Sequence, residues 1–145
     1  MLLACLPIDV VMRLRKPSHR WDSETWIAAA VTVPVPDPGG ALLSTTSPAP
    51  SSPDESVVRL DLELYSDEND AYFENWAAPQ PKVFVMWQLR EKRARPVLAS
   101  VSYAEGTRML DSGEQADGLP MSADVHSWLG AYLRTHYRPR PRHRD

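Results

Sequence analysis

Four histidines, one cysteine and nineteen acidic residues are the side chains here that could carry a reaction. A zinc site needs converging His, Cys or carboxylate ligands, each oriented by a second partner. His19, His126, His136 and His143 are scattered, with no His-x-x-x-His spacing and no cysteine pair. They read as solvent-facing side chains. A carboxylate acid/base pair would require one carboxyl in an apolar pocket with a raised pKa. Asp67, Glu68, Asp70 and Glu74 crowd one short segment, but acids gather at helix starts because the dipole favours them there. This cluster reads as a solvated acidic patch, better suited to docking a basic partner than to catalysis. No G-x-S-x-G elbow surrounds a serine, and Cys5 sits ahead of the first expected strand. The phosphate-cradling loops G-x-x-x-x-G-K-[ST] and G-x-G-x-x-G are missing. Ser112-Gly113 ends a helix, whereas an anion needs a helix start. The residues assign no catalytic, metal or cofactor-binding role, and the chain is expected not to be an enzyme.

Aromatic and basic residues offer recognition instead. Trp87 and Trp128 fall on inward faces of their elements. Trp21 and Trp26 bracket a strand start, and Tyr72 and Trp76 share one face of a short helix. These four could pack as core, present a surface to a protein, or line a concave site for a small ligand or cofactor intermediate. Arg138, Arg140 and Arg142 alternate with proline or histidine in the tail, which is solvated or else captures an acidic partner or RNA. The candidate partner-binding residues are therefore Trp21, Trp26, Asp67, Glu68, Asp70, Tyr72, Trp76, Arg138, Arg140 and Arg142.

Composition narrows the class. The whole chain carries −3, and the stretch from Arg134 to Asp145 alone carries +4, which leaves −7 on the rest. An acidic body argues against a dedicated nucleic-acid domain, whose folded face should be basic. With a single cysteine no internal disulfide can form, so a reducing compartment fits. The apolar run Met1–Leu6 is too short to span a membrane and lacks the parts of a signal peptide. A cytoplasmic protein without a membrane partner is expected.

The elements that must position these side chains follow from periodicity. Ile8, Val10, Met12 and Leu14 alternate and predict a strand with one buried face. Thr25–Val33 predicts a second. Residues 34–56 hold six prolines and few large aliphatics, too little to offset their ordering entropy, so a disordered Pro/Ser-rich loop is expected within the domain. Val58, Leu60, Leu62 and Leu64 alternate with charged residues and predict the best strand. Ser66 is placed to cap a short helix bearing Tyr72, Phe73, Trp76 and Ala77. Val83–Leu89 and Pro96–Ser102 predict a hairpin around the charged tip Arg90–Arg95. Ser102-Tyr103-Ala104-Glu105 has capping-box spacing, and its helix should stop at Gly113. Val125, Trp128, Leu129, Tyr132 and Leu133 form a helical stripe beginning near Ser122. No internal repeat is found. The expected fold is α+β: one curved antiparallel sheet of about five strands, a C-terminal helix packed on one face, and two short connecting helices. The single domain runs 6–137, followed by a disordered basic tail, 138–145.

Laid in order, these residues resemble an uncharacterised bacterial family, number 3305 among the domains of unknown function. The likeness runs through Pro7–Val11, Trp21, Trp26, Leu60–Leu64, Asp67-Glu68, Ala71-Tyr72, Asn75 and Val83–Val85. It is strongest over Ser102–Glu105 and Leu110–Glu114, and continues through Leu119–Met121 and the Trp128 helix. Members of that family are typically encoded beside molybdenum-dependent formate dehydrogenase genes. The resemblance implies a non-catalytic accessory role in assembly, maturation or regulation of that enzyme, with a dehydrogenase subunit or maturation factor as the protein partner. It transfers no catalytic residue, because none is defined. It also implies a better ordered, helix-containing segment between Pro34 and Ser56 than this chain's composition suggests.

Overall fold

The computed structural model describes residues 1–15, 25–34 and 54–137. Trp21, His19, the loop residues 35–53 and the tail with Arg138, Arg140 and Arg142 lie outside the described residues.

Alternation builds the first half. β1 (Leu2–Arg15) buries Ile8, Val10 and Met12 completely, because every second side chain of a strand points to the same face. It starts at Leu2, ahead of the Leu6 start expected for the domain. β2 (Thr25–Thr32) and β3 (Glu55–Tyr65) flank it, both antiparallel, in the order β2-β1-β3. A bulge at Val11/Met12 shifts the β1–β2 register. The loop expected to reach Ser56 ends earlier, since β3 is already extended at Glu55.

A single 3-10 turn (Ser66–Glu68) leads into α1 (Asn69–Trp76). Ser66 does not cap this helix with its side chain. Instead its backbone N–H donates to the Met1 carbonyl at 3.1 Å, which ties the 3-10 turn to the start of β1.

The second half repeats the plan of the first. β4 (Lys82–Arg90) is central, β5 (Arg93–Ser100) returns beside it, and β6 (Gln115–Pro120) lies on its other flank, in the order β5-β4-β6. The charged tip is far tighter than expected. Only Glu91 and Lys92 separate the strands, with φ of 53° and 66°, the left-handed pair of a type I′ turn. α2 (Tyr103–Asp111) begins as expected, with Ser102 Oγ accepting from the Glu105 N–H. Gly113, at φ 84°, follows its end in the left-handed region that terminates helices. α3 (Ala123–His136) is capped by Ser122 and buries Val125, Leu129, Tyr132 and Leu133.

Among the described residues, the single curved sheet of about five strands is thus corrected to six strands in two three-stranded antiparallel sheets with three α-helices, not closed into a barrel. The strand that sequence reading missed is β6. Its sequence QADGLP has no alternation and holds a Gly and a Pro, which an edge strand tolerates.

The two sheets share one hydrophobic core. Two seams run where their edges meet, β3 beside β5 and β2 beside β6. The β2/β6 seam is bridged by one carboxylate: Asp117 Oδ2 accepts from the Ala28 N–H at 3.1 Å and from Trp87 Nε1 at 3.0 Å. Among the described residues no helix is long and apolar enough to cross a membrane.

Candidate functional site

The candidate residues separate into two regions. Asp67, Glu68, Asp70, Tyr72 and Trp76 share the 3-10 turn and α1. Trp26 pairs with Leu14 near the far end of β1, whereas Tyr65, where α1's segment begins, pairs with Leu2. Twelve residues of strand, roughly 40 Å, lie between them. The described members of the aromatic group therefore do not line one cavity. Trp26 is 8% exposed, and its Nε1 donates to the Lys92 carbonyl at 3.2 Å, so it holds the hairpin tip against β2.

Tyr72 and Trp76 are interior joints between helices. The Tyr72 hydroxyl accepts from the Tyr65 N–H at 2.9 Å, and its ring meets Tyr132 edge-on at 6.1 Å. Desolvation pushes the phenol up to about 12, so it stays protonated across ordinary pH. Trp76 lies flat against His126, centroids 4.8 Å apart and planes 9° apart. Its Nε1 donates to the His126 carbonyl, and His126 Nε2 faces the Trp76 carbonyl at 3.1 Å. A carbonyl only accepts, so Nε2 bears the proton. His126 is therefore a packed, hydrogen-bonded side chain, which corrects the solvent-facing expectation.

The acids split as well. Asp67, Asp70 and Glu74 are exposed. Glu68 is half-buried, accepts from Ser102 Oγ at 2.8 Å, and sits 3.6 Å from Arg108. Sequence reading gave Glu105 only a capping role. Burial, and then the nearby Glu68 carboxylate, push its pKa up, partly offset by Arg108 and a hydrogen bond with Ser100. The Cys5 thiol is also pushed up, by burial and then by Asp61 and Glu63, which disfavours the reactive thiolate.

Asn75, 1% exposed, is a buried amide beside this region. It donates to the Lys82 and Val101 carbonyls at 2.7 and 2.9 Å and accepts from the Lys82 N–H at 3.0 Å. One amide thus joins the end of α1 to the start of β4 and the end of β5.

A surface that sequence reading did not assemble lies on the outer side of the second sheet. Ala78, Pro79, Lys82, Phe84, Tyr103 and Leu110 line an open concavity of about 360 Å³. Phe84 forms its floor and meets Tyr103 edge-on at 6.1 Å. The floor is close to the backbone of α2 because residue 106 is glycine. A methyl there would land inside the Phe84 ring. Tyr103 and Leu110 remain 45% and 53% exposed on the rim. These residues come from three elements, so no local motif marks them. The closest sequence signal was the strong capping box that fixes where α2 starts.

A protein-family model described as "Protein of unknown function (DUF3305)" matches residues 7–145. No curated protein and no solved structure matches the chain.

Proposed function

Because the chain belongs to the DUF3305 family, we propose that it is a non-catalytic accessory protein that acts by binding another protein, a subunit or maturation factor of a molybdenum-dependent formate dehydrogenase. The choice of partner follows the family's gene neighbourhood. The observation that carries the binding role is the apolar concavity of α2 and β4, where Phe84, Tyr103 and Leu110 present aromatic and aliphatic surface beside the Lys82 cation. Such anchors, with a polar rim, are what protein hot spots are made of. The titratable groups with shifted pKa support the same reading, since Tyr72 and Glu105 are tied to structural partners.

A tagged copy expressed in its native host tests this. Recovery of dehydrogenase subunits or maturation proteins with wild type, and loss of them with Leu110→Asp, is expected. Equal recovery by the variant would remove the concavity from the role, and recovery of neither protein class by wild type would remove the partner. The second reading is a small-ligand or cofactor-intermediate site in the same concavity, whose volume falls in the usual ligand range. It requires a thermal shift of the isolated protein by a small molecule, abolished by the same substitution.

A further inference from the structure

The β3/β5 seam is tied at its first end, where Arg93 Nη2 donates to the Glu55 carbonyl at 2.5 Å. β3 and β5 are each the edge of their own sheet, they run side by side, and no ladder joins them among the described residues. Two concavities open along this seam. One is bounded by Ser56, Val58, Arg90, Arg93 and Arg95, the other by Leu60, Asp61, Glu63, Leu98 and Glu105. They meet end to end, because β3 and β5 advance together: residues 56–58 lie with 93–95, and 60–65 with 97–100.

The resulting furrow has an ordered composition. Its first end is cationic, with Arg90, Arg93 and Arg95, and with Glu91 at the margin. Its middle is apolar, with Val58, Leu60, Val97 and Leu98. Its far end is anionic, with Asp61, Glu63 and Glu105. Val97 and Leu98 are 36% and 40% exposed. Val58 and Leu60, which share the alternation of the fully buried Leu62 and Leu64, are only half-buried here. Exposed apolar side chains rimmed by charge are a usual mark of a protein contact surface.

We propose that this furrow is a two-fold interface between copies of this chain. In a two-fold contact each patch must be complementary to itself. A strip that is cationic at one end, apolar in the middle and anionic at the other meets that requirement when turned end over end. The rotation sets Arg93 and Arg95 of each copy against Asp61 and Glu63 of the other. Apolar middle then lies on apolar middle. A foreign strand of uniform charge would meet like charge at one end of the furrow. A second copy sets the three arginines against the acids, and like charge meets where the marginal Glu91 nears them. This surface is separate from the α2 concavity, so the proposal stands independently of the partner assigned above.

Sedimentation equilibrium of the full chain tests it, through a symmetry argument. Arg95→Glu alone places two Glu–Glu contacts across the axis, and Glu63→Arg alone places two Arg–Arg contacts. Both positions are exposed. Wild type should dimerise with a dissociation constant on the order of micromolar, and each single variant should weaken it by about tenfold or more. An equimolar mixture of the two variants should form a heterodimer within about threefold of wild type, since both contacts are then between opposite charges. The double variant in one chain should recover the dimer for the same reason. Wild type that stays monomeric, or singles that weaken the dimer without rescue on mixing, would overturn the proposal. So would a monomer that binds an acidic peptide or RNA through Arg93 and Arg95.

Discussion

Replacing Asn75 by alanine should cost about 3–5 kcal/mol, because one side chain completes three backbone groups at once. Truncation leaves the Lys82 N–H, the Lys82 carbonyl and the Val101 carbonyl without their partners. The Lys82 carbonyl cannot be rescued from the neighbouring strand at its own register, since its partner there is Pro120, which has no N–H. An orphaned buried group costs about 1–3 kcal/mol. Taking the low end for Lys82, whose residue reaches solvent, and the middle for Val101, 1% exposed, gives the stated total. That is a large share of the roughly 5–15 kcal/mol that holds an ordinary domain together. Urea unfolding followed by tryptophan fluorescence reads it directly. Asn75→Asp is the sharper companion, being nearly isosteric. Its carboxylate keeps the acceptor for the Lys82 N–H but faces two carbonyl oxygens with no proton to offer. The burial that shifts this new carboxyl upward makes its stability contribution largest at acid pH and lost as pH rises. The variant should therefore approach wild type as pH falls toward about 4, the ordinary carboxylate range. A cost below about 1 kcal/mol for the alanine variant would mean that water already satisfies these carbonyls, and the reasoning would fail.

Three further outcomes follow from the same geometry. Asp117→Ala should cost about 2–4 kcal/mol in the same unfolding assay, because the Ala28 N–H and the buried Trp87 Nε1 lose their shared acceptor. Glu105→Gln should leave stability unchanged at low pH and raise the melting temperature at neutral pH. Burial holds the folded Glu105 pKa above the ordinary carboxylate range, so its contribution is present below that range and lost as pH rises through the folded pKa, which glutamine avoids. A melting-temperature difference that does not depend on pH would reject this account. Replacing Glu91-Lys92 by Asn-Gly should stabilise the hairpin by about 1 kcal/mol, since both residues hold positive φ that Asn and Gly adopt readily.

Much of the scaffold is legible in the chain. The alternation of Ile8, Val10 and Met12, the caps Ser102 and Ser122, and the stripe through Val125, Leu129 and Leu133 all appear where periodicity and capping chemistry place them. These features are local, and local rules read them. What was missed depends on contacts between distant residues. β6 is held by its pairing with β4 and not by its own propensity. Val58 and Leu60 carry the same pattern as Leu62 and Leu64, yet they are half-buried while the other two are fully buried. Ser66 does not cap because it is the first residue of a 3-10 turn, and α1 is entered three residues later from Glu68. Of the candidate site, the chain reveals aromatic residues but not their neighbours. Trp26 and Trp76 look alike as letters, yet one clasps a hairpin and the other stacks on His126. The Phe84–Tyr103–Leu110 surface needs both the β4 strand and Gly106 beneath it.

The matching strand orders of the two halves carry one more implication. In each half the first strand is central, the second folds back on one flank and the third fills the other. The halves meet so that the third strand of one always lies next to the second strand of the other, as a pseudo-dyad through the core would arrange. The molecule therefore has two topologically equivalent borders, and it treats them differently. One is fastened by the part-buried Asp117 carboxylate, which accepts from a backbone N–H and an indole, and the other by the exposed Arg93, whose guanidinium donates to the Glu55 carbonyl. An architecture that already contains an approximate dyad thus closes one border with an anion and the other with a surface cation.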